Sequence, residues 1–231
     1  MDPVKTEAGY VTGAIIGEPG REVRIYRGIP YAAPPVGDLR WKPPQPVTPW
    51  SGSRQCTEFK PVAPQANLGD LPPFPQILPS NEDCLYLNIL TPAKKTTDKL
   101  PVMVWMHGGG YQLGNASDPL TNAPRLPQYG IVLVNVNMRL NTIGLLAHPL
   151  LSKESPKGVS GNYMFLDMIA ALQWVQKNIA AFGGDPKNVT IFGESGGGAK
   201  VANLMVSPLA KGLFHRAICE SGTSVRAFSP G

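Results

Sequence analysis

The chain has 231 residues, of which 42% are apolar and 16% are charged, a composition that supports one large domain with its own core. The net charge of +5 comes from 21 basic and 16 acidic residues scattered along the sequence, without the basic run that would follow a nucleic-acid backbone. The apolar run at 131–136 has the length of a strand, whereas a membrane-spanning helix needs about 20 apolar residues. We therefore expect neither a nucleic-acid partner nor a membrane span.

The amino terminus and the cysteines bear on the cellular compartment. The first residues lack the charged-then-apolar pattern of an export signal. The protein is therefore either soluble in the cytoplasm, which this start favours, or written without its signal. The cysteines, Cys56, Cys84 and Cys219, fit neither a disulfide scaffold nor a zinc site, and they allow one bridge at most.

The first residues form strands. Within 4–32 the pattern predicts two or three antiparallel strands, including 10–16 and 23–26, with a turn at 18–20 between them. This arrangement predicts a small antiparallel ribbon ahead of the main sheet.

Prolines are dense from there to position 79, as they would be in a disordered linker. Linkers usually lack aromatic anchors, however, and this stretch contains Trp41, Trp50, Phe59 and Phe74. We predict an ordered, irregular wrap.

From position 85 onward, strands alternate with helices. This order predicts the α/β class, with a central, mostly parallel sheet, helices on both faces and a ligand site at the carboxyl ends of the strands. The predicted strands are 85–90, 101–106, 131–137, 189–192 and 217–219, and the predicted helices are 163–180 and 195–206.

A G-x-S-x-G sequence at 193–197 joins a short apolar strand to a helix, which is the setting of a nucleophile elbow. Such a sharp turn holds the serine hydroxyl clear of the backbone and leaves no room for a Cβ at Gly193 and Gly197. Ser195 is the candidate nucleophile. The amide of Gly196 would point toward the developing oxyanion at the positive start of the helix.

A phosphate-binding loop also joins a strand to a helix, but it requires Gly-Lys followed by Ser or Thr. Here Ala199 separates Gly198 from Lys200, and Val201 offers no hydroxyl for magnesium. We discount a nucleotide site, and we expect no cofactor and no metal.

A second glycine sequence follows the predicted strand at 101–106, where His107 precedes Gly108, Gly109 and Gly110. Three glycines after an apolar strand expose backbone N–H groups with no side chains in the way. Paired with a nucleophile elbow, an H-G-G-G loop is typical of an oxyanion hole, in which each donor lowers the barrier by roughly 3 kcal/mol. A plain flexible turn is the alternative, and we expect His107 to position the loop rather than to act as a base.

The two glycine sequences belong to a longer series of motifs. The others are YRGIPYAAPPVGDLRWKPP at 26–44, NEDCLYLNI at 81–89 and FGGDPKNVTIFGES at 182–195. In this order they resemble the type-B carboxylesterase/lipase family, the α/β-hydrolases that include bacterial para-nitrobenzyl esterases and cholinesterases. The resemblance runs from about Thr6 to Thr223.

The resemblance implies an α/β-hydrolase fold and an acyl-enzyme mechanism. Ser195 would attack an ester carbonyl, and the N–H groups of Gly109, Gly110 and Gly196 would hold the oxyanion. Family members usually have alanine at the position of Gly196, so the turn here loses rigidity but keeps its backbone donor.

The resemblance also implies two buried, structural ion pairs, Arg40 with Glu82 and Arg139 with Asp167. The alternative is that these are solvated surface charges worth about 0 to 1 kcal/mol each.

Two further departures from the family concern a disulfide and a substrate. In members with a disulfide, the partner of Cys84 corresponds to Ala63 here, which leaves a bridge from Cys56 to Cys84 as an alternative. Cholinesterases hold their cationic substrate on a tryptophan that the loop at 64–80 lacks, which argues against a choline ester.

The activating partners of Ser195 are missing from the sequence. In this fold an acid and then a histidine follow the serine, but the only carboxylate after Ser195 is Glu220 and the only histidine is His215, in the reverse order. A serine without a base is a weak nucleophile.

Type-B carboxylesterases are about twice as long, so the resemblance implies that 1–231 is the amino-terminal portion of a single α/β-hydrolase domain. The acid and histidine would lie in a carboxy-terminal remainder, in the same chain or in a second one.

The sequence therefore predicts a serine carboxylic ester hydrolase that acts, when complete, on small uncharged esters of short to medium acyl length. The 231-residue chain alone is expected to be inactive and to be stable only with its remainder. The rival is a non-catalytic binding or adhesion protein of the same fold, as neuroligin-like members are. Those typically lack the serine, whereas this chain keeps both Ser195 and the glycine loop, which favours catalysis.

Overall fold

The computed structural model describes residues 1–66 and 79–222. Phe74 and most of the loop at 64–80 lie outside the described residues. In the described part, ten strands and four α-helices follow one another as β1 (Val4–Thr6), β2 (Gly9–Thr12), β3 (Ala14–Ile16), β4 (Val23–Pro30), β5 (Ser53–Gln55), β6 (Tyr86–Thr91), β7 (Leu100–Met106), β8 (Val132–Val136), α1 (Asn141–Leu145), α2 (Pro149–Glu154), α3 (Tyr163–Asn178), β9 (Gly184–Glu194), α4 (Gly196–Val206) and β10 (Arg216–Glu220).

Seven of these strands form the central sheet, in the order β10-β9-β7-β8-β6-β4-β3. Neighbours from β10 to β8 are parallel, and neighbours from β8 to β3 are antiparallel. Five of the seven strands therefore run in one direction, which confirms the predicted, mostly parallel sheet. Because β7 and β9 are parallel neighbours, the loop after β7 and the turn after β9 leave the sheet side by side at its carboxyl edge.

The amino-terminal ribbon differs from the prediction. It is a three-stranded sheet in which β1 and β2 are antiparallel and β2 and β5 are parallel. β5 was not predicted, because all of its residues are exposed and no apolar alternation marks it as a strand. The predicted strand at 10–16 breaks at Gly13, where a Cβ would lie 2.1 Å from the carbonyl oxygen of Ile25. After that break, β3 joins β4 in the central sheet.

The other differences between predicted and observed secondary structure lie in elements that are short or contain proline. α1 and α2 were not predicted, since helices of 5 and 6 residues are too short to show an apolar period. β9 begins at Gly184 rather than 189, because Asp185 and Pro186 made its first part look like a turn. The predicted helix at 163–180 is α3, which ends at Asn178 and continues as a short 3-10 turn.

The two longest helices of the described part, α3 and α4, both pack into the main core on one face of the sheet. On the helix-covered face, alternate residues of β7 and β9 such as Val104 and Ile191 are fully buried. On the opposite face their neighbours Met103, Trp105 and Phe192 are only partly buried and pack around a smaller cluster. Among the described residues, no helix combines the length and apolarity that crossing a bilayer requires.

Aromatic side chains anchor the proline-rich wrap, as predicted. Trp50 packs against the main core and donates from Nε1 to the carbonyl of Tyr10 at 2.9 Å. Trp41 donates from Nε1 to the carbonyl of Thr142 at 3.1 Å, which ties the wrap to α1.

The predicted pair of Arg139 and Asp167 is fully buried, with both side chains 0% exposed. Nε and Nη2 of Arg139 donate to the two carboxylate oxygens at 2.9 and 2.6 Å, and Nη1 donates to the carbonyls of Arg40 and Lys42 at 2.8 and 2.9 Å. The guanidinium therefore joins the end of β8, helix α3 and the wrap.

The predicted pair of Arg40 and Glu82 forms as well, at 2.7 Å, but it is not buried. The two side chains are 40% and 24% exposed. The prediction of burial was wrong because Arg40 lies on the outer side of the wrap, with only its carbonyl turned inward to Arg139.

The alternative of a disulfide between Cys56 and Cys84 is not met, since both thiols are free and buried. Burial raises the pKa of the Cys56 thiol to about 11 and raises that of Cys84 further. Both groups therefore remain neutral, unreactive core residues. Cys219, on β10, is a free cysteine that is only partly buried.

We predict that Arg139→Met destabilises the protein by about 3 to 5 kcal/mol, because it leaves the Asp167 carboxylate buried and unpaired. Denaturant unfolding of the purified protein measures the loss. Lys42→Met is the matched control, since it breaks the exposed pair with Glu154 and should cost less than about 1 kcal/mol. Equal, small losses in the two variants would contradict the structural role of Arg139.

Candidate active site

Ser195 lies on the turn between β9 and α4, with backbone angles of φ 55° and ψ −121°. A residue other than glycine rarely adopts such a conformation, and holding it costs on the order of 1 to 3 kcal/mol. The amide of Ser195 donates to the carbonyl of Glu220 at 2.8 Å, and its carbonyl accepts from the amide of Ala199 at 3.1 Å. These bonds hold the strained turn, while the serine itself is exposed.

The elbow glycines lie where no side chain fits, as the sequence predicted. A Cβ on Gly193 would lie 2.5 Å from the carbonyl oxygen of Met106, and one on Gly197 would lie 2.0 Å from the same atom. The last residue of β7 therefore packs directly on the backbone of the elbow. This close approach brings the loop that follows β7 next to Ser195.

That loop, the glycine loop (Gly108–Gly110), takes backbone conformations that favour glycine. The angle φ is +87° at Gly109 and +58° at Gly110. The carbonyl of Gly109 accepts from the amides of Gln112 and Leu113 at 3.0 and 2.9 Å. The carbonyl side of the loop is thus occupied by its own turn, so its N–H groups are what it can offer to a ligand.

The structure brings all four predicted site residues together. A Cβ on Gly196 would lie 2.6 Å from the amide nitrogen of Gly110, so the first residue of α4 touches the glycine loop through its backbone. The amides of Gly109, Gly110 and Gly196 donate to no acceptor within residues 1–66 and 79–222. Three free N–H groups beside a serine, at the positive end of an 11-residue helix, suit a negatively charged oxygen.

The contact at Gly196 also accounts for the departure from alanine at this position. With the glycine loop in this conformation, an alanine methyl would overlap the backbone of Gly110. Glycine at 196 therefore reflects a close approach between two backbones as well as a looser turn.

Lys200 is a residue of this site that the sequence analysis used only to reject a nucleotide loop. Its side chain is fully buried, and Nζ donates to the carbonyl of His107 at 2.7 Å. Burial lowers its pKa to about 7. The signal in the sequence was its position on α4, because Gly197, Lys200, Val201 and Leu204 share one helix face and this face is buried.

His107 is buried beneath the glycine loop, as expected of a positioning residue. Its Nδ1 lies 2.9 Å from the carbonyl of Gly108, and a carbonyl can only accept, so Nδ1 carries the proton. Burial, together with the nearby charge of Lys200, holds the pKa of His107 well below its usual range. The imidazole is therefore neutral.

The other two histidines each accept a hydrogen bond from a backbone amide. Nδ1 of His148 caps α2 by accepting from the amide of Leu150. His215 is exposed, and its Nδ1 accepts from the amide of Val189 at 3.2 Å. Val189 lies on β9 six residues before Ser195, which at about 3.3 Å per residue is a separation of about 20 Å. The ring of His215 therefore lies far from Ser195.

A separate cavity of about 690 Å³ lies between α3, α4 and the segment at 155–162. None of the four predicted site residues lines it. The site at Ser195 is instead an open surface in the described part of the chain. No group of three or more His, Cys, Asp or Glu side chains within that part is arranged to hold a metal ion.

Comparison with known proteins bears on both fold and family. The chain is similar to the solved structure of a PNB esterase, with a TM-score of 0.84 and 42% identity over 96% of this chain and 44% of the other. A thermophilic PNB esterase gives a TM-score of 0.84 and 43% identity over the same shares. These matches confirm the α/β-hydrolase fold.

Curated relatives are similarly close. Fumonisin B1 esterase of Sphingopyxis macrogoltabida is 48% identical over 91% of this chain and 38% of its own length. Carboxylesterase 1C of Mus musculus is 46% identical over 96% of this chain and 41% of its own length. The chain thus spans about two fifths of the relatives it matches. The sequence model described as "Carboxylesterase family" matches residues 2–229, and the chain therefore belongs to the carboxylesterase family.

Proposed function

We propose that the protein is a serine ester hydrolase in which Ser195 is the nucleophile and the amides of Gly109, Gly110 and Gly196 bind the oxyanion. The observation that carries this proposal is the backbone contact between Gly196 and Gly110 beside the strained serine. This contact supports the proposal because N–H groups from two separate elements then lie beside the turn that carries the exposed Ser195. Preorganised donors of this kind stabilise the charge that develops when an ester carbonyl is attacked.

In the proposed reaction, the Oγ of Ser195 forms a bond to the carbonyl carbon while its proton passes to a histidine base. The carbonyl π electrons move onto the oxygen, which the three amides hold. Collapse of this intermediate breaks the bond to the alcohol oxygen, which takes the proton from the histidine and leaves an acyl-enzyme. Water then attacks the acyl-enzyme by the same route and releases the acid.

We propose that the triad acid and this histidine lie in a carboxy-terminal remainder, in the same chain or in a second one. Two observations support this. The relatives are more than twice as long as the segment they share with this chain, and the three histidines present are engaged elsewhere. The 231-residue chain alone would then be inactive, and β10, an edge strand of the described sheet, would be where the sheet continues.

For the substrate, we propose uncharged esters of short to medium acyl length. Membership of the carboxylesterase family supports an ester as the bond that is cleaved. The acyl length is inferred from the resemblance to para-nitrobenzyl esterases. A panel of para-nitrophenyl acetate, para-nitrophenyl butyrate, fumonisin B1 and butyrylcholine tests the class. Turnover of the two nitrophenyl esters above that of the choline ester is expected, and a preference for the choline ester would contradict the assignment.

Replacing the nucleophile tests the mechanism. In the full-length protein, Ser195→Ala should abolish labelling by an organophosphonate and lower kcat for para-nitrophenyl butyrate by about 10⁴-fold or more, as loss of a triad member does. Peptide mapping of the labelled wild type should place the adduct on Ser195. The exposed Ser51 supplies the control, since Ser51→Ala should leave both readouts unchanged. Residual hydrolysis in Ser195→Ala equal to wild type would remove the proposal.

A second variant tests the contact between the two backbones. Gly196→Ala should lower kcat for para-nitrophenyl acetate by about 10- to 100-fold with a smaller change in KM, because the methyl displaces the donor at Gly110 by a fraction of an ångström or more. Gly130→Ala is the control for a glycine-to-alanine change away from the site: a Cβ there meets nothing within 4 Å, but the φ of +82° strains it, so it should lower the melting temperature and leave kcat unchanged. If kcat of Gly196→Ala stays at the wild-type value, the amide of Gly110 does not bind the oxyanion.

A further inference from the structure

Lys200 is an unusual residue to bury. Lysine is almost never fully buried unless it is paired, yet this side chain is 0% exposed and has no carboxylate partner within the described residues. The groups that face it are the backbone carbonyl of His107 at 2.7 Å, the neutral ring of His107 and the ring of Tyr111, whose centroid lies 5.9 Å from Nζ. An apolar residue would fill the same space at a lower desolvation cost.

The hydrogen bond that Lys200 makes is placed to hold the glycine loop. Its acceptor is the carbonyl of the peptide that joins His107 to Gly108, the first residue of the loop. Its donor lies on α4, one turn beyond Gly196, and therefore on the element that begins at Ser195. The bond thus connects α4 to the start of the glycine loop through a side chain. The contact between Gly196 and Gly110, by contrast, involves backbone atoms alone.

We infer that Lys200 is a positioning residue, which fixes the peptide between His107 and Gly108 and thereby keeps the amides of Gly109 and Gly110 aligned with Ser195. The catalytic part of this inference rests on the proposed function, whereas the structural part concerns the loop alone. Both the ammonium and the neutral amine can donate to a carbonyl, so the bond persists on either side of neutral pH.

The experiment compares Lys200→Met with Lys153→Met in the full-length protein. Methionine keeps the length of the side chain and removes the donor, and Lys153 is an exposed lysine on α2. The first readout is hydrogen exchange of the amides of Gln112 and Leu113, which close the loop on Gly109. We expect these amides to exchange about tenfold faster or more in Lys200→Met, while α3 is unchanged and Lys153→Met behaves like wild type.

The second readout is the split between kcat and KM for para-nitrophenyl acetate. A loop that is no longer held should lower kcat about 100-fold with KM within about threefold, because donors that act in the transition state are misplaced while substrate binding is kept. A substitution that merely loosened the core would not produce this split.

The outcomes separate the two proposals. Unchanged exchange at Gln112 and Leu113 in Lys200→Met overturns the inference, whatever the protein hydrolyses. When Ser195→Ala is inactive, faster exchange in Lys200→Met with an unchanged kcat also overturns it. If Ser195→Ala remains active while exchange in Lys200→Met rises, the proposed function fails and the loop-holding role stands. If Lys200→Met does not fold, Lys200→Leu, which also removes the donor, takes its place with the same expected readouts, and failure of both to fold would show a purely structural role and overturn the inference.

The pH dependence of stability tests the burial on which the inference depends. Burial lowers the pKa of Lys200 from 10.5 to about 7 in the folded protein. Between these values the unfolded chain binds a proton that the folded protein does not, so stability rises with pH across this window. The melting temperature of wild type relative to Lys200→Met should therefore be lowest below pH 7 and rise toward pH 10. A difference that does not vary with pH would mean that Lys200 is solvated, and it would overturn the inference.

Discussion

The site depends on a steric constraint, the absence of room for side chains between the end of β7 and the start of α4. The carbonyl of Met106 lies so close to the elbow that neither Gly193 nor Gly197 could carry a Cβ, and Gly110 lies equally close to Gly196. The two backbones meet without intervening side chains. The N–H groups of the glycine loop after β7 and of the turn after β9 therefore lie next to Ser195. The arrangement of the proposed site is therefore a consequence of packing, since a side chain at Gly193 or Gly197 would displace the elbow from the end of β7.

Two buried charges hold the surroundings of this contact in different ways. Arg139 is fully paired with Asp167 and donates to two carbonyls of the wrap, so its charge is compensated and it stabilises the frame. Lys200 has one carbonyl partner and no counter-ion in the described part of the chain, so it is retained at a cost in stability. Residues that cost stability beside a reactive group are commonly kept for function, and Lys200 borders the glycine loop rather than the frame.

The sequence predicted the structure well where the local backbone geometry requires a particular residue type, such as glycine. Glycines at fixed spacing around Ser195 and after His107 predicted the elbow and the loop, and the alternation of strands and helices predicted the sheet. It was uninformative where the tertiary environment decides, as for β5, whose three exposed residues pair only because β2 lies beside them. The burial of Arg40 was overestimated because the family resemblance implies the pairing, whereas the exposure of the pair depends on how the wrap packs in this chain. Lys200 went unassigned, since a lysine on an apolar helix face has no meaning until its acceptor is known.

The central claim is that amides from both loops hold the oxyanion formed on Ser195. A crystal structure of the full-length protein with an organophosphonate adduct tests it most directly, because the phosphoryl oxygen occupies the position of the oxyanion. The account predicts an adduct on the Oγ of Ser195 with that oxygen about 2.7 to 3.1 Å from the amide nitrogens of Gly109, Gly110 and Gly196. An adduct on another residue, or a phosphoryl oxygen turned toward solvent, would contradict it.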